Sequence, residues 1–318
     1  MKQLILSAVK AGLGEEYPRL RARILAWQDV WTERIKNIRY RLREAVPFDV
    51  DPERLGRIKR KNRETLHSFS GWYDPALFAR SVCNYGISTD KLHLLDVEIG
   101  AETTLSDIVT YHCAGLRAPA RYLEIGVSVG KNFVQVVEGT VEGDFTGFDI
   151  EDVDPVVTRD LKHLTREEWS SLDPAYARRA SGADFSRPSL SSLDIFEDRS
   201  GKKKVRYIAG NVFDERCWQV LAREKYDLIF SDAMHTGAAI KHEYSMMKKY
   251  NLLGGNALTI IWDDLHFPGM REAFLDITND LSTTFGADRC SRSLHLVYGW
   301  AGRHEGYRHL VGIFRLRA

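Results

Sequence analysis

The sequence has little of several things that would place it in familiar classes. Four cysteines in 318 residues (Cys83, Cys113, Cys217 and Cys290) stand far apart. No CxxC pair or other close metal-ligand spacing occurs. That excludes a disulfide scaffold and a paired-cysteine metal site, and free thiols in a reducing cytoplasm are the expectation. No apolar stretch approaches the roughly 18–20 residues of a membrane span. Leu4 to Val9 is apolar, but charge soon interrupts it and no convincing cleavage site follows, so it does not read as a signal peptide. Charge of one sign is missing too, since 45 Lys and Arg face 44 Asp and Glu. Internal repeats and low-complexity runs are absent.

The balanced total hides an asymmetry. Residues 1–65 carry 16 Lys and Arg against 9 Asp and Glu, so the remainder is net acidic. From Tyr17 to Val46, Leu20, Ile24, Trp27, Trp31, Ile35, Ile38 and Leu42 recur at helical spacing, with Pro18 suited to the first turn. Such a helix cannot bury its apolar stripe alone. It is expected to cover the body or to build a homodimer, rather than to grip nucleic acid. Pro47 to Tyr73 reads as irregular, with a basic run at Lys59 to Lys61. Helices are expected near Asp74 to Asn84 and Leu105 to Gly115. Residues 1–103 are therefore read as a helical N-terminal extension.

From Ala120 the texture changes. Short apolar runs at Tyr122–Ile125, Phe145–Ile150, Val205–Ile208, Tyr226–Ser231 and Ala257–Trp262 read as strands. Helical stretches at Asn132–Glu138, Trp218–Arg223 and Ala238–Tyr250 lie between them. That alternation predicts a parallel α/β sheet. Leu294–Trp300 and His309–Arg315 read as an antiparallel hairpin closing it. The expectation is a Rossmann-like doubly wound sheet of about seven strands over residues 104–318. An insertion at 152–204, with a helix over Thr165 to Arg178 and then a Ser/Pro/Asp-rich stretch, is expected to form a substrate-side lid.

The chemistry concentrates at strand ends. In Leu123-Glu124-Ile125-Gly126-Val127-Ser128-Val129-Gly130, Gly126 lets the chain turn off the first strand and approach a ligand closely. Gly130 sits where the next helix packs on that strand. Ser128 stands where a GxGxxG dinucleotide fingerprint has its middle glycine, so no pyrophosphate need be cradled. Asp149 closes the second strand, where an acid can accept ribose hydroxyls. The third strand runs into Gly210-Asn211. The fourth ends in Ser231-Asp232-Ala233-Met234-His235 and the fifth in Trp262-Asp263-Asp264-Leu265-His266-Phe267. Three carboxylates converging there would repel one another, and a hard divalent cation with oxygen ligands such as Mg²⁺ resolves that.

Residues from about 104 to 316 resemble class I S-adenosylmethionine-dependent methyltransferases, LEIGVSVG being similar to their first motif and GFDIE to their second. The resemblance implies that Glu124, Gly126, Ser128 and Gly130 hold the methionine end, Asp149 the ribose, Asn211 and Val212 the adenine region, with Asp232 beside the cofactor. The DxxH…GG…DD…PG layout resembles the metal-dependent O-methyltransferase branch, catechol-type and natural-product sugar and macrolide enzymes among them. That resemblance implies Asp232, Asp263 and Asp264 as Mg²⁺ ligands. Met234 replaces an acid of the sugar branch, and His235 stands at the place of the catechol-type general-base lysine. His235 is then the expected base, with His266 second, acting on a hydroxyl of a small molecule such as a natural-product intermediate. The competing readings are an RNA or protein methyltransferase using the basic N-terminal region, a nicotinamide-dependent oxidoreductase, and a non-catalytic cofactor-binding scaffold.

Overall fold

A computed structural model of the chain describes residues 50–68, 103–181, 190–254, 257–298 and 308–318. The expected helices at Tyr17–Val46 and Asp74–Asn84 lie outside the described residues.

Two helices precede the sheet. Helix α1 spans Pro52–Ser68, where the sequence reads as irregular, and α2 spans Leu105–Cys113. Thr104 caps α2 through a capping box with Asp107. The same Asp107 carboxylate accepts from Asn62 Nδ2 at 2.9 Å and Arg63 Nη1 at 2.7 Å. Asp107 thus starts one helix and ties the other onto it. In this way part of the expected extension is built onto the sheet body.

The strands follow in chain order. Strand β1 is Ala120–Ile125, β2 Gly143–Asp149, β3 Lys162–His163, β4 Leu190–Glu197, β5 Lys203–Gly210, β6 Leu228–Ser231, β7 Leu258–Trp262, β8 Cys290–Tyr298 and β9 Arg308–Leu316. Helices α3 (Lys131–Gly139), α7 (Glu215–Val220), α8 (Gly237–Lys249) and α9 (Met270–Phe285) alternate with them. One nine-stranded sheet results, ordered β3-β4-β5-β2-β1-β6-β7-β9-β8. Its centre, β5-β2-β1-β6-β7, is parallel, and β8 and β9 form the antiparallel hairpin. The doubly wound architecture stands as expected, with two strands more than the expected seven.

Both added strands come from the insertion. After the short α4 (Pro155–Thr158) and β3, two helices replace the single one expected, α5 at Arg166–Leu172 and α6 at Pro174–Ser181. Proline lacks the N–H that an interior helical turn needs, so Pro174 starts a new helix instead of continuing the old one. The Ser-rich stretch then enters β4, which pairs antiparallel with β5 and extends the sheet edge. The described part of that stretch is therefore sheet rather than lid; 182–189 lie outside the described residues. Arg206, buried on β5, anchors the insertion: its guanidinium stacks over the Tyr176 ring at 4.3 Å and pairs with Asp173 and Glu224, each at 3.4 Å.

Strand order reverses direction at β1, which has β2 on one side and β6 on the other. Doubly wound sheets open a crevice at the carboxyl ends of strands on either side of such a point. The register sets Ile125 beside Phe148 of β2 and Ser231 of β6, and Ser231 beside Trp262 of β7. Gly126, Asp149, Asp232 and Asp263 therefore leave the sheet at one level. No described helix is long and apolar enough to cross a membrane.

Candidate functional site

The three central strand ends are stitched by backbone. Gly126 N donates to Phe148 O and Asp232 N donates to Ile125 O, both at 2.8 Å. Beyond β1 the chain turns sharply, and three of its next five residues have positive φ: Gly126 at +90°, Ser128 at +51° and Gly130 at +77°. A β-carbon on Gly126 would lie 2.5 Å from the backbone of Asp232 and Ala233. Only glycine fits there, because the loop rests directly on the chain that leaves β6.

Asp149 holds this loop from the next strand. Its Oδ2 accepts from Ser128 N at 2.7 Å and its Oδ1 from Glu151 N at 3.0 Å. Burial raises its pKa, against the pull of those amides. Glu124 lies deeper. Its Oε2 accepts from Tyr122 Oη at 2.5 Å and from Asn132 Nδ2 at 2.8 Å. Burial pushes this carboxyl well above the usual range. Asn211 turns its side chain into its own loop, where Oδ1 accepts from Phe213 N at 2.9 Å. Val212 O accepts from Trp218 Nε1 at 2.7 Å and lies 3.0 Å from His242 Nε2. Beside them Ile150 and Phe213 stay exposed, with the Phe213 ring 5.1 Å from that of His242.

On the other side of Gly126 a polar cluster forms. His235 sits between two carboxylates: Nε2 is 3.5 Å from Asp232 Oδ1 and Nδ1 is 3.0 Å from Asp264 Oδ2. Ligand atoms of Asp232, His235 and Asp264 all lie within 4.8 Å of one another. Asp264 has a left-handed backbone, φ +55°, and its Oδ1 lies 3.4 Å from His266 Nδ1. Asp263 stands apart from that group, its Oδ1 accepting from Asp264 N at 2.6 Å. The Phe267 ring, still 37% exposed, lies 5.1 Å from the His235 ring and 4.5 Å from that of His266.

Electrostatics match this geometry. Burial raises Asp232, and Asp263 and Asp264 add to the rise while His235 opposes it. For His235, burial acts against the charged form, but hydrogen bonding to Asp232 and the charges of Asp264, Asp232 and Asp263 outweigh it, so its pKa rises. Two carboxylates and an imidazole gathered this closely fit a divalent cation, which would take up the negative charge.

The sequence reading misses three contributors. Glu243 of α8 is fully buried under the site, its Oε2 accepting from Ser231 Oγ at 2.6 Å. Its signal was present: it falls on the buried stripe of Ala239, Ile240, Tyr244 and Met247, where an acid is out of place. Phe213 and His242 carry no such signal, being exposed or polar residues whose neighbours only the fold supplies.

No family model matches the chain, and no curated protein matches it. Among solved structures, it is similar to a candidate O-methyltransferase from Klebsiella pneumoniae, at 14% identity over 86% of this chain and 93% of that one, with a TM-score of 0.40. It is also similar to magnesium protoporphyrin IX methyltransferase from Synechocystis PCC 6803 with bound S-adenosylmethionine, at 11% identity over 77% and 97%, with a TM-score of 0.37. A third is precorrin-6y C5,15-methyltransferase from Geobacter metallireducens, at 8% identity over 67% and 88%, with a TM-score of 0.38.

Proposed function

We propose that the chain is an S-adenosylmethionine-dependent O-methyltransferase that acts on a hydroxyl of a small molecule, assisted by a divalent cation. The observation that carries this reading is the contact of Gly126 with the Asp232 backbone. It makes the loop after β1 and the Asp232–Asp264 cluster two walls of one crevice. Two features speak against a pyrophosphate-bearing cofactor. Ser128 occupies the middle-glycine place, and its amide, which would face a phosphate, is committed to Asp149.

In this reading Glu124, Gly126, Ser128 and Gly130 shape the pocket for the amino-acid end of the cofactor. The Asp149 carboxylate, already fixed by two amides, keeps lone pairs for ribose hydroxyls. Asn211 and Val212 set the backbone beside the adenine, with Phe213 and Ile150 as exposed apolar surface there. Asp232 and Asp264 hold the cation. When bound, the sulfonium offers an electrophilic methyl, and the cation lowers the pKa of the acceptor hydroxyl. Both nitrogens of His235 face carboxylates, which leaves it badly placed as a base. We therefore assign the acceptor's proton to His266, whose Nδ1 lies 3.4 Å from Asp264 Oδ1. Holding acceptor and methyl in line is the remaining task of the crevice.

Incubation with methyl-labelled S-adenosylmethionine and a panel of hydroxylated acceptors tests the reading. Label should appear in a methyl ether, be lost in EDTA and return with added cation. Full transfer in chelator would remove the cation from the account.

A further inference from the structure

The ligand set that the fold assembles differs from the one that the sequence pattern implies. The pattern points to three carboxylates, Asp232, Asp263 and Asp264. In the structure the third member of the cluster is an imidazole. We propose that His235 is a direct metal ligand in place of Asp263, and that the site takes Mn²⁺ or a later divalent transition ion in preference to Mg²⁺. The proposal rests on the reading of this crevice as a cation site, and not on methyl transfer.

Local structure holds each part of this set. His235 directly precedes Thr236, whose Oγ1 caps α8 by accepting from Ala239 N at 3.2 Å. That fixes the backbone next to the imidazole. Phe267 packs on the ring at 5.1 Å with 32° between the planes and limits its rotation. The left-handed backbone of Asp264 turns its carboxylate to within 3.0 Å of His235 Nδ1. The same turn leaves Asp263, buried, with an oxygen on the Asp264 amide at 2.6 Å. That oxygen is taken by the amide, and Asp263 is not part of the group whose ligand atoms gather within 4.8 Å. His235 has only to exchange one partner between its two carboxylates for another.

Chemistry then sets the choice of ion. Magnesium is held by oxygen, dehydrates reluctantly and demands near-ideal octahedral geometry. Imidazole nitrogen suits the borderline ions better, and two carboxylates beside it keep manganese in range.

The test uses the full chain stripped of metal. Pulsed EPR of bound Mn²⁺ reads nitrogen coupling directly, and Mg²⁺ competition reads selectivity. The wild type should show imidazole nitrogen coupled to Mn²⁺ and should hold Mn²⁺ about tenfold or more tightly than Mg²⁺. His235→Ala should lose the nitrogen signal and at least about tenfold in Mn²⁺ affinity, the loss that even an outer-shell partner causes. His266→Gln should keep the signal, and Asp263→Asn, whose amide oxygen can still accept from Asp264 N, should cost less affinity than His235→Ala. Absence of nitrogen coupling in the wild type overturns the proposal without any variant. So does equal affinity for the two ions, a signal that follows His266, or loss of binding in Asp263→Asn but not in His235→Ala. Failure of the wild type to bind either ion overturns the cation reading itself, and with it this proposal.

Discussion

Gly126 and Asp232 lie backbone against backbone: a β-carbon at residue 126 would stand 2.5 Å from the Asp232 carbonyl oxygen. The loop after β1 and the acidic cluster after β6 are therefore not independent features. A shift in one moves the other. Gly126→Ala adds both this overlap and a left-handed alanine, whose backbone strain alone costs about 1–3 kcal/mol. The expected outcome is a less stable protein whose affinity for S-adenosylhomocysteine falls at least about tenfold. Thermal unfolding and calorimetric titration check it. Unchanged affinity would mean that the loop does not shape the pocket.

Asp264 separates charge from backbone shape. Asparagine tolerates positive φ, so Asp264→Asn should keep the turn and cost no more than about 1 kcal/mol of stability. It removes a carboxylate that we assign to the cation, so Mn²⁺ affinity should fall at least about tenfold. Binding isotherms on the variant decide it, and wild-type affinity would take Asp264 out of the ligand set.

Glu243 gives a pH prediction. Burial pushes its carboxyl up to about 8 from an ordinary value of 4.5, with Ser231 acting against the rise and Asp232 adding to it. Between those values the unfolded chain has lost the proton that the folded chain keeps. Stability attributable to this group is therefore complete below pH 4.5 and falls as pH rises to about 8, with a slope approaching about 1.4 kcal/mol per pH unit. Glu243→Gln cannot ionise, so the gap between variant and wild type should move in the variant's favour across that window. Denaturant unfolding at several pH values measures it. Parallel profiles would contradict the assignment.

Arg206 ties the insertion to the sheet through Tyr176, Asp173 and Glu224. Arg206→Ala takes the buried cation from Asp173, leaves Glu224 with Arg179 alone, and should cost about 2 kcal/mol. Urea unfolding reads the loss. A change below about 0.5 kcal/mol, typical of surface positions, would show the network to be incidental.

The legible parts of this molecule were those with periodic apolar residues. The five central parallel strands read from short apolar runs ending in Gly, Asn, Ser or Asp, and the terminal hairpin from two more. Helix α1 stayed hidden because its buried face carries polar residues: Asn62, paired with Asp107, and Thr65 are buried beside Ile58. Strand β4 stayed hidden because it is a Ser- and Asp-containing segment next to the sheet edge, with a pairing irregularity between Leu190 and Ser192. At the site, the converging strand ends followed from topology. The placement of Asp263 and His235 did not, because it depends on the φ of Asp264, a local backbone state that residue types do not announce. Glu243 could have been read, as an acid on an apolar stripe.

The central claim is that the crevice beside Gly126 takes an S-adenosyl ligand rather than a dinucleotide. Titration calorimetry of the full chain with S-adenosylhomocysteine, and separately with NAD, tests this most directly. The account predicts one saturable site for S-adenosylhomocysteine, weakened about tenfold or more by Asp149→Ala, and no binding of NAD. Binding of NAD with none of S-adenosylhomocysteine would contradict it.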